Sequence, residues 1–120
     1  MFQIGYDDAK GIVFTKVEGF WTLADVKACA TDMRPYLTAA KNAAGPVLVL
    51  CDARKFPVQS PEVASAFRQM ELEMGAMRDR MAIVVSSTLV KMQGQRSLDA
   101  SPIEYFSSIE QAEAWLLGAE

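Results

Sequence analysis

With 120 residues, 51% of them hydrophobic, and a formal net charge of −3 at pH 7, the chain is expected to fold as one domain spanning residues 1–120 around a sizeable core. Its mild acidity argues against binding to nucleic acid or to an anionic membrane, since both require a basic face. No apolar run reaches the roughly 18 residues of a membrane span, and the N-terminus lacks the basic and apolar regions of a signal peptide, so we expect a cytoplasmic protein without a membrane span.

The first half of the sequence predicts a hairpin followed by a long helix. "FQIGYD" and "GIVFTKVE" are typical of two short strands, and residues 8–11 form a plausible turn between them. Thr22 and Asp25 have the spacing of a capping box at the start of the helix "TLADVKACATDMRPYLTAAKNAAG". Pro35 lies inside this helix and should kink or divide it, because proline lacks an N–H and clashes with the preceding turn; we expect one kinked helix.

The second half alternates strands and helices. "VLVLCDA" and "MAIVVSS" are continuous apolar runs, as expected for strands covered on both faces. The helix between them has Ser60 at its N-cap and Pro61 at its first position. A weaker helix "STLVKMQGQRSLD", a brief strand "IEYF" and a final helix "SIEQAEAWLLG" follow, the last capped by Ser107 or Ser108. The order β-β-α-β-α-β-α-β-α predicts one α/β domain with a mixed sheet covered by helices.

Residues that support catalysis are scarce in this sequence. It contains no histidine and two cysteines, Cys29 and Cys51. The lack of histidine excludes Ser-His-Asp and Cys-His catalysis within this chain and removes the commonest zinc ligand. The two thiols are expected to pack as small hydrophobic groups, and glycine-rich phosphate loops are absent. We therefore predict no enzymatic activity, no catalytic residue, no cofactor and no metal site.

The carboxyl ends of the two apolar strands form the edge at which an open α/β sheet usually binds its ligands. Asp52, Ser86 and Ser87 lie at those ends, and Ser60 begins the helix that follows the first strand. Because a helix N-terminus attracts anions, these four residues are candidates for an anion or phosphorylation site. Capping alone also explains Asp52 and Ser60, and Glu62 would oppose an anion at this helix start.

Four large apolar residues are candidates for contacts with another protein. Phe20 and Trp21 precede the first helix, and Phe56 follows a predicted strand. Leu72 projects from the polar face of its helix, between two glutamates. We expect these residues to form a surface for a protein partner or for self-association as a homo-oligomer.

A stripe on the second helix supports an alternative function. Met70 and Met74 share this stripe with Phe67, and ordinary core packing is one interpretation of it. Because methionine adapts its shape, such a stripe also suits a pocket. The protein is then a carrier or sensor that binds a small apolar or anionic ligand between sheet and helices, with Asp52 or Ser60 at the rim.

The chain as a whole resembles the SpoIIAA-like proteins, relatives of the STAS domains (sulfate transporter and anti-sigma-factor antagonist). The resemblance rests on "VEGFWTLADVKA", "VLVLCDARKF", "RMAIVVSS" and "IEYFSSIEQAEAWL". It implies a single SpoIIAA/STAS-like domain with a non-enzymatic, regulatory or protein-interaction role. In relatives that act as switches, a serine that begins the helix after the third strand is phosphorylated, and Ser60 is the nearest position here. The residues after Asp52 are "ARKFPVQS", which differ from the serine and glycine of the switch motif.

Overall fold

A computed structural model describes residues 1–97 and 102–118. Within these residues, five strands and four α-helices follow one another in the predicted order, so the predicted α/β fold class is confirmed. A short 3-10 helix at Gly75–Met77 follows the second α-helix. In chain order the elements are β1 (Phe2–Asp7), β2 (Ile12–Glu18), α1 (Leu23–Asn42), β3 (Leu48–Lys55), α2 (Pro61–Met74), β4 (Arg80–Val84), α3 (Thr88–Ser97), β5 (Ile103–Phe106) and α4 (Ile109–Leu116).

The five strands form one mixed sheet in the order β1-β2-β3-β4-β5. β1 and β2 are antiparallel, and the other three pairs are parallel. The hairpin turn is closed by the N–H of Gly11, which donates to the carbonyl oxygen of Asp7 at 2.8 Å. Gly11 has a φ of 70°, a left-handed conformation that glycine adopts without steric cost.

Helices cover both faces of the sheet, as the continuous apolar runs predict. Side chains alternate along a strand, so Val49 and Cys51 of β3 contact the core beneath α1 and α2, whereas Leu48 and Leu50 contact α4 on the opposite face. The first four residues of the strand, 48–51, are therefore all apolar, because neither of their faces is open to solvent.

The predicted capping residues define the ends of the helices. The Thr22 hydroxyl accepts from the Asp25 N–H at 3.2 Å, and the Asp25 carboxylate accepts from the Thr22 N–H at 2.8 Å, which confirms the capping box. Pro35 lies on the exposed side of α1 and does not divide the helix. At α4 the cap is Ser108, which accepts from the Gln111 N–H at 3.2 Å. The prediction for the third helix extends to Asp99, and residues 98–101 lie outside the described residues.

Candidate functional site

At the carboxyl edge of the sheet, Asp52 and Ser86 are joined through Arg54. The buried carboxylate of Asp52 accepts from Nε and Nη2 of Arg54 at 2.9 and 2.8 Å. This guanidinium holds the pKa of the Asp52 carboxyl below its usual value. The Ser86 hydroxyl donates to the Arg54 carbonyl oxygen at 2.7 Å. The charge of Asp52 is therefore balanced within its own strand, by the residue two positions further along.

The other two edge candidates cap separate helices. The hydroxyl of Ser60 accepts from the Val63 N–H at 3.2 Å at the start of α2. The hydroxyl of Ser87 accepts from the Val90 N–H at 3.4 Å in the first turn of α3. The four predicted edge residues thus form three separate hydrogen-bonded arrangements, and phosphorylation of Ser60 stays a prediction.

The two residues of the Phe20-Trp21 pair have opposite environments. The side chain of Phe20 is 79% exposed, and Leu72 on α2 is also exposed, at 74%. Trp21 is only 5% exposed, so the expectation that it forms part of the surface is wrong. Its indole Nε1 donates to the Glu18 carbonyl oxygen at 2.9 Å.

Trp21 is buried because three other aromatic rings surround it. Its ring centroid lies 5.6 Å from Phe2, 5.4 Å from Phe56 and 5.3 Å from Phe67. Phe56 is half-buried in the same cluster. Aromatic pairs at such separations add favourable packing energy beyond their buried area, so the cluster anchors the β2–α1 loop to α2.

Gln59 is a structural residue that the sequence analysis missed. Its buried side chain accepts from the Trp21 N–H at 2.8 Å and donates to the carbonyl oxygens of Gly19 and Pro57 at 3.0 and 2.8 Å. Its backbone exchanges two hydrogen bonds, both 2.8 Å long, with the side chain of Gln93. A lone glutamine in a loop carries no pattern that marks this role.

A cavity of about 140 Å³ lies between the sheet and the helices α1, α2 and α3. Its wall is mainly apolar, and it includes the three residues of the methionine-containing stripe, Phe67, Met70 and Met74. Neither Asp52 nor Ser60 contributes to the wall. The structure therefore places the carboxyl-edge candidates and the cavity at different positions.

Polar groups form one part of the cavity wall. Arg78 donates from Nη1 to Oε1 of Glu71 at 2.7 Å and from Nη2 to Oε2. These side chains are only 8% and 10% exposed. Tyr105 of β5 lies in the same wall. Within residues 1–97 and 102–118, the buried Nε of Arg78 and the buried hydroxyl of Tyr105 have no hydrogen-bond partner.

Comparison with known proteins assigns the family. The family model described as SpoIIAA-like matches residues 12–117. This chain belongs to the SpoIIAA-like family. A solved structure from Shewanella loihica PV-4, an uncharacterized protein from the DUF3478 family with a SpoIIAA-like fold, is 21% identical and has a TM-score of 0.69. The alignment covers 96% of this chain and 93% of that chain, and at this identity it shows the fold alone. No curated protein matches the chain.

The thiols of this SpoIIAA-like chain both lie in the cavity wall. Burial raises the pKa of Cys29 to about 12 and that of Cys51 to about 11. Both groups are therefore neutral at physiological pH, and a neutral thiol is a poor nucleophile and metal ligand. Across the described ranges of this SpoIIAA-like domain, no three Cys, Asp or Glu side chains are placed to bind a metal. No helix in the same ranges is long and apolar enough to cross a membrane.

Proposed function

We propose that this SpoIIAA-like protein is a non-enzymatic carrier or sensor that binds one small, mainly apolar molecule between the sheet and helices α1–α3. The observation that carries this proposal is the cavity of about 140 Å³ with its largely apolar wall. A buried apolar cavity of roughly 150 Å³ accepts a benzene-sized ligand. We therefore expect a ligand whose body is about the size of one six-membered ring.

The chemistry of the wall supports binding without catalysis. The two thiols are neutral, and burial also raises the pKa of the Tyr105 hydroxyl, so this group stays protonated. The carboxylate of Glu71 is held by two hydrogen bonds from Arg78. General acid–base catalysis needs a group that exchanges a proton near neutral pH, and these four side chains are poorly suited to that task.

Native mass spectrometry of freshly purified protein tests the proposal directly. We expect a fraction of the protein to carry a small adduct that is released on denaturation. A saturating ligand stabilises the folded state by about 2.7 kcal/mol at 100 times its Kd, so apolar ring compounds such as toluene should raise the Tm by roughly 10 °C. Protein that carries no adduct and shows no Tm change across an apolar panel would refute the proposal.

A second candidate function is protein interaction, including self-association as a homo-oligomer. The exposed ring of Phe20 and the exposed side chain of Leu72 favour this function, because large exposed apolar side chains contribute to protein interfaces. Sedimentation analysis at increasing concentration should show association that Phe20→Ser or Leu72→Ser weakens. A monomer at all concentrations, with no partner recovered from native lysate, would contradict this function.

A further inference from the structure

We infer that the cavity recognises one uncharged oxygen acceptor on its ligand, such as a ketone, ester or amide carbonyl, through the hydroxyl of Tyr105 and the Nε of Arg78. This inference rests on the ligand-binding function proposed above. It assigns the ligand a chemical class: a ring-sized apolar body that carries a single neutral hydrogen-bond acceptor.

The first argument is the presence of two hydrogen-bond donors at the cavity wall without acceptors. The Nε of Arg78 and the hydroxyl of Tyr105 are both buried, and no acceptor for either exists within residues 1–97 and 102–118. Nearly all buried polar groups in folded proteins are hydrogen-bonded, and a buried donor without a partner is costly. Both residues border the cavity, and on this inference an oxygen atom of a bound molecule supplies the missing acceptor.

The second argument concerns charge. Both terminal nitrogens of the Arg78 guanidinium already donate to the carboxylate of Glu71, so the pair is neutral as a whole. An anionic ligand would add an unbalanced charge to an apolar, buried space, which is strongly unfavourable. The wall therefore favours a neutral carbonyl over a carboxylate or a phosphate, and the anionic ligand considered from the sequence does not suit this cavity.

The third argument is that two glycines make room for the polar wall. A Cβ atom at Gly94 would lie 2.6 Å from the Tyr105 hydroxyl oxygen, and a Cβ atom at Gly75 would lie 2.7 Å from Oε2 of Glu71. Real Cβ atoms essentially never approach so closely, so a side chain at either glycine would force the neighbouring polar group to shift. The positions of these polar groups therefore depend on the absence of side chains at the two glycines.

The test uses a set of three probes of nearly the same shape. Acetophenone carries a neutral carbonyl, α-methylstyrene replaces that oxygen by CH₂, and benzoate carries a charge. Their Kd values are measured by NMR titration of isotope-labelled protein. We expect Tyr105→Phe to weaken acetophenone binding about tenfold, the value of one hydrogen bond, and to leave the Kd of α-methylstyrene within about twofold.

Further variants separate recognition from a general loss of structure. Gly94→Ala displaces the Tyr105 hydroxyl and should cause the same selective loss for acetophenone. Tyr36→Phe is the matched control, since Tyr36 is half-buried on α1 and does not border the cavity, and it should change neither Kd. Glu71→Gln removes the charge that balances Arg78, so it should shift the preference from acetophenone towards benzoate.

The outcomes distinguish this inference from the function on which it rests. If Tyr105→Phe weakens acetophenone and α-methylstyrene equally or affects neither, or if benzoate binds the unmodified protein more tightly than acetophenone, the recognition mechanism is wrong but ligand binding stands. If none of the three probes binds, both the proposed function and the recognition mechanism fail.

Discussion

Replacement of Ala64 by leucine should fill the cavity and block the ligand. Ala64 lies on α2 in the cavity wall, and the three added carbon atoms should occupy about half of the roughly 140 Å³ of free space. Cavities cost about 24 cal/mol per Å³, so filling about 70 Å³ should contribute about 1.7 kcal/mol. A strain cost of about 1 kcal/mol is typical when a larger side chain enters a core, and the net stabilisation should be about 0.5–1 kcal/mol.

Urea denaturation measures this change, with the comparison made at unchanged m value. Titration with α-methylstyrene, the apolar probe, should show at least a tenfold loss of affinity in the same variant, because leucine occupies the binding volume. The matched control is Ser65→Leu, an exposed neighbour on α2. It should change the unfolding free energy by less than about 0.5 kcal/mol and leave the probe affinity unaltered.

Two results would refute the reasoning behind Ala64→Leu. Unchanged probe affinity would mean that apolar molecules bind elsewhere. A destabilisation above about 1 kcal/mol would mean that leucine meets a closely packed wall, so that the cavity does not persist in solution.

Substitutions at three further positions test the hydrogen-bonded arrangements of Asp52, Ser60 and Gln59. Asp52→Asn should lower the unfolding free energy at pH 7, and the deficit should shrink towards pH 3. The pKa of Asp52 is lower in the folded state than in the unfolded state. The ionised carboxylate therefore stabilises the fold at pH values above the unfolded pKa of about 3.9, and this stabilisation is lost as the pH falls through the folded pKa. Equal losses of unfolding free energy at pH 7 and pH 3, measured in urea, would contradict this reasoning. Ser60→Ala should cost about 1 kcal/mol and Ser60→Asp less than about 0.5 kcal/mol, because aspartate also caps a helix; equal losses in thermal melts would exclude the capping role. Gln59→Ala should lower the unfolding free energy by about 3 kcal/mol, because it leaves the N–H of Trp21 and other buried groups unpaired. The exposed control Gln95→Ala should lower it by less than about 0.5 kcal/mol. Equal urea midpoints for the two variants would show that Gln59 is dispensable.

Local patterns explain why most of the fold is predictable from the sequence. The capping box of Thr22 needs only residues within one turn of helix. The apolar run at residues 48–51 of β3 indicates burial on both faces, because neither set of alternating side chains in it is polar. Each of these signals involves neighbours along the chain, and tertiary contacts did not override them.

The environment of Trp21 was not predictable for the opposite reason. Its burial depends on Phe67 and on the side chain of Gln59, both far along the sequence. Beside the exposed Phe20, a second aromatic residue in the same loop has no local feature that assigns it to the core. Contacts between distant segments decide which of the two rings is covered.

At the candidate site, the cavity was likewise only partly predictable from the sequence. The stripe that contains Phe67, Met70 and Met74 predicts an apolar face, but periodicity does not report whether the opposing surface fills the space. The pairing of Glu71 with Arg78 across seven residues depends on the 3-10 helix at Gly75–Met77, which carries the chain past the end of α2. The sequence therefore indicates a lining but neither the volume nor the polar groups within it.

Ligand binding and stability are linked in a domain of this kind. A cavity of about 140 Å³ deprives its wall of packing contacts unless a ligand fills it. A ligand that fills the cavity and bonds to Tyr105 recovers much of this loss. The empty domain is therefore expected to open more readily than the occupied one, and the local opening that admits the ligand becomes rarer once the ligand is bound. Under the proposed function, this coupling would let a small apolar molecule control how long the surface around the cavity stays in one conformation, which is the property that a sensor requires.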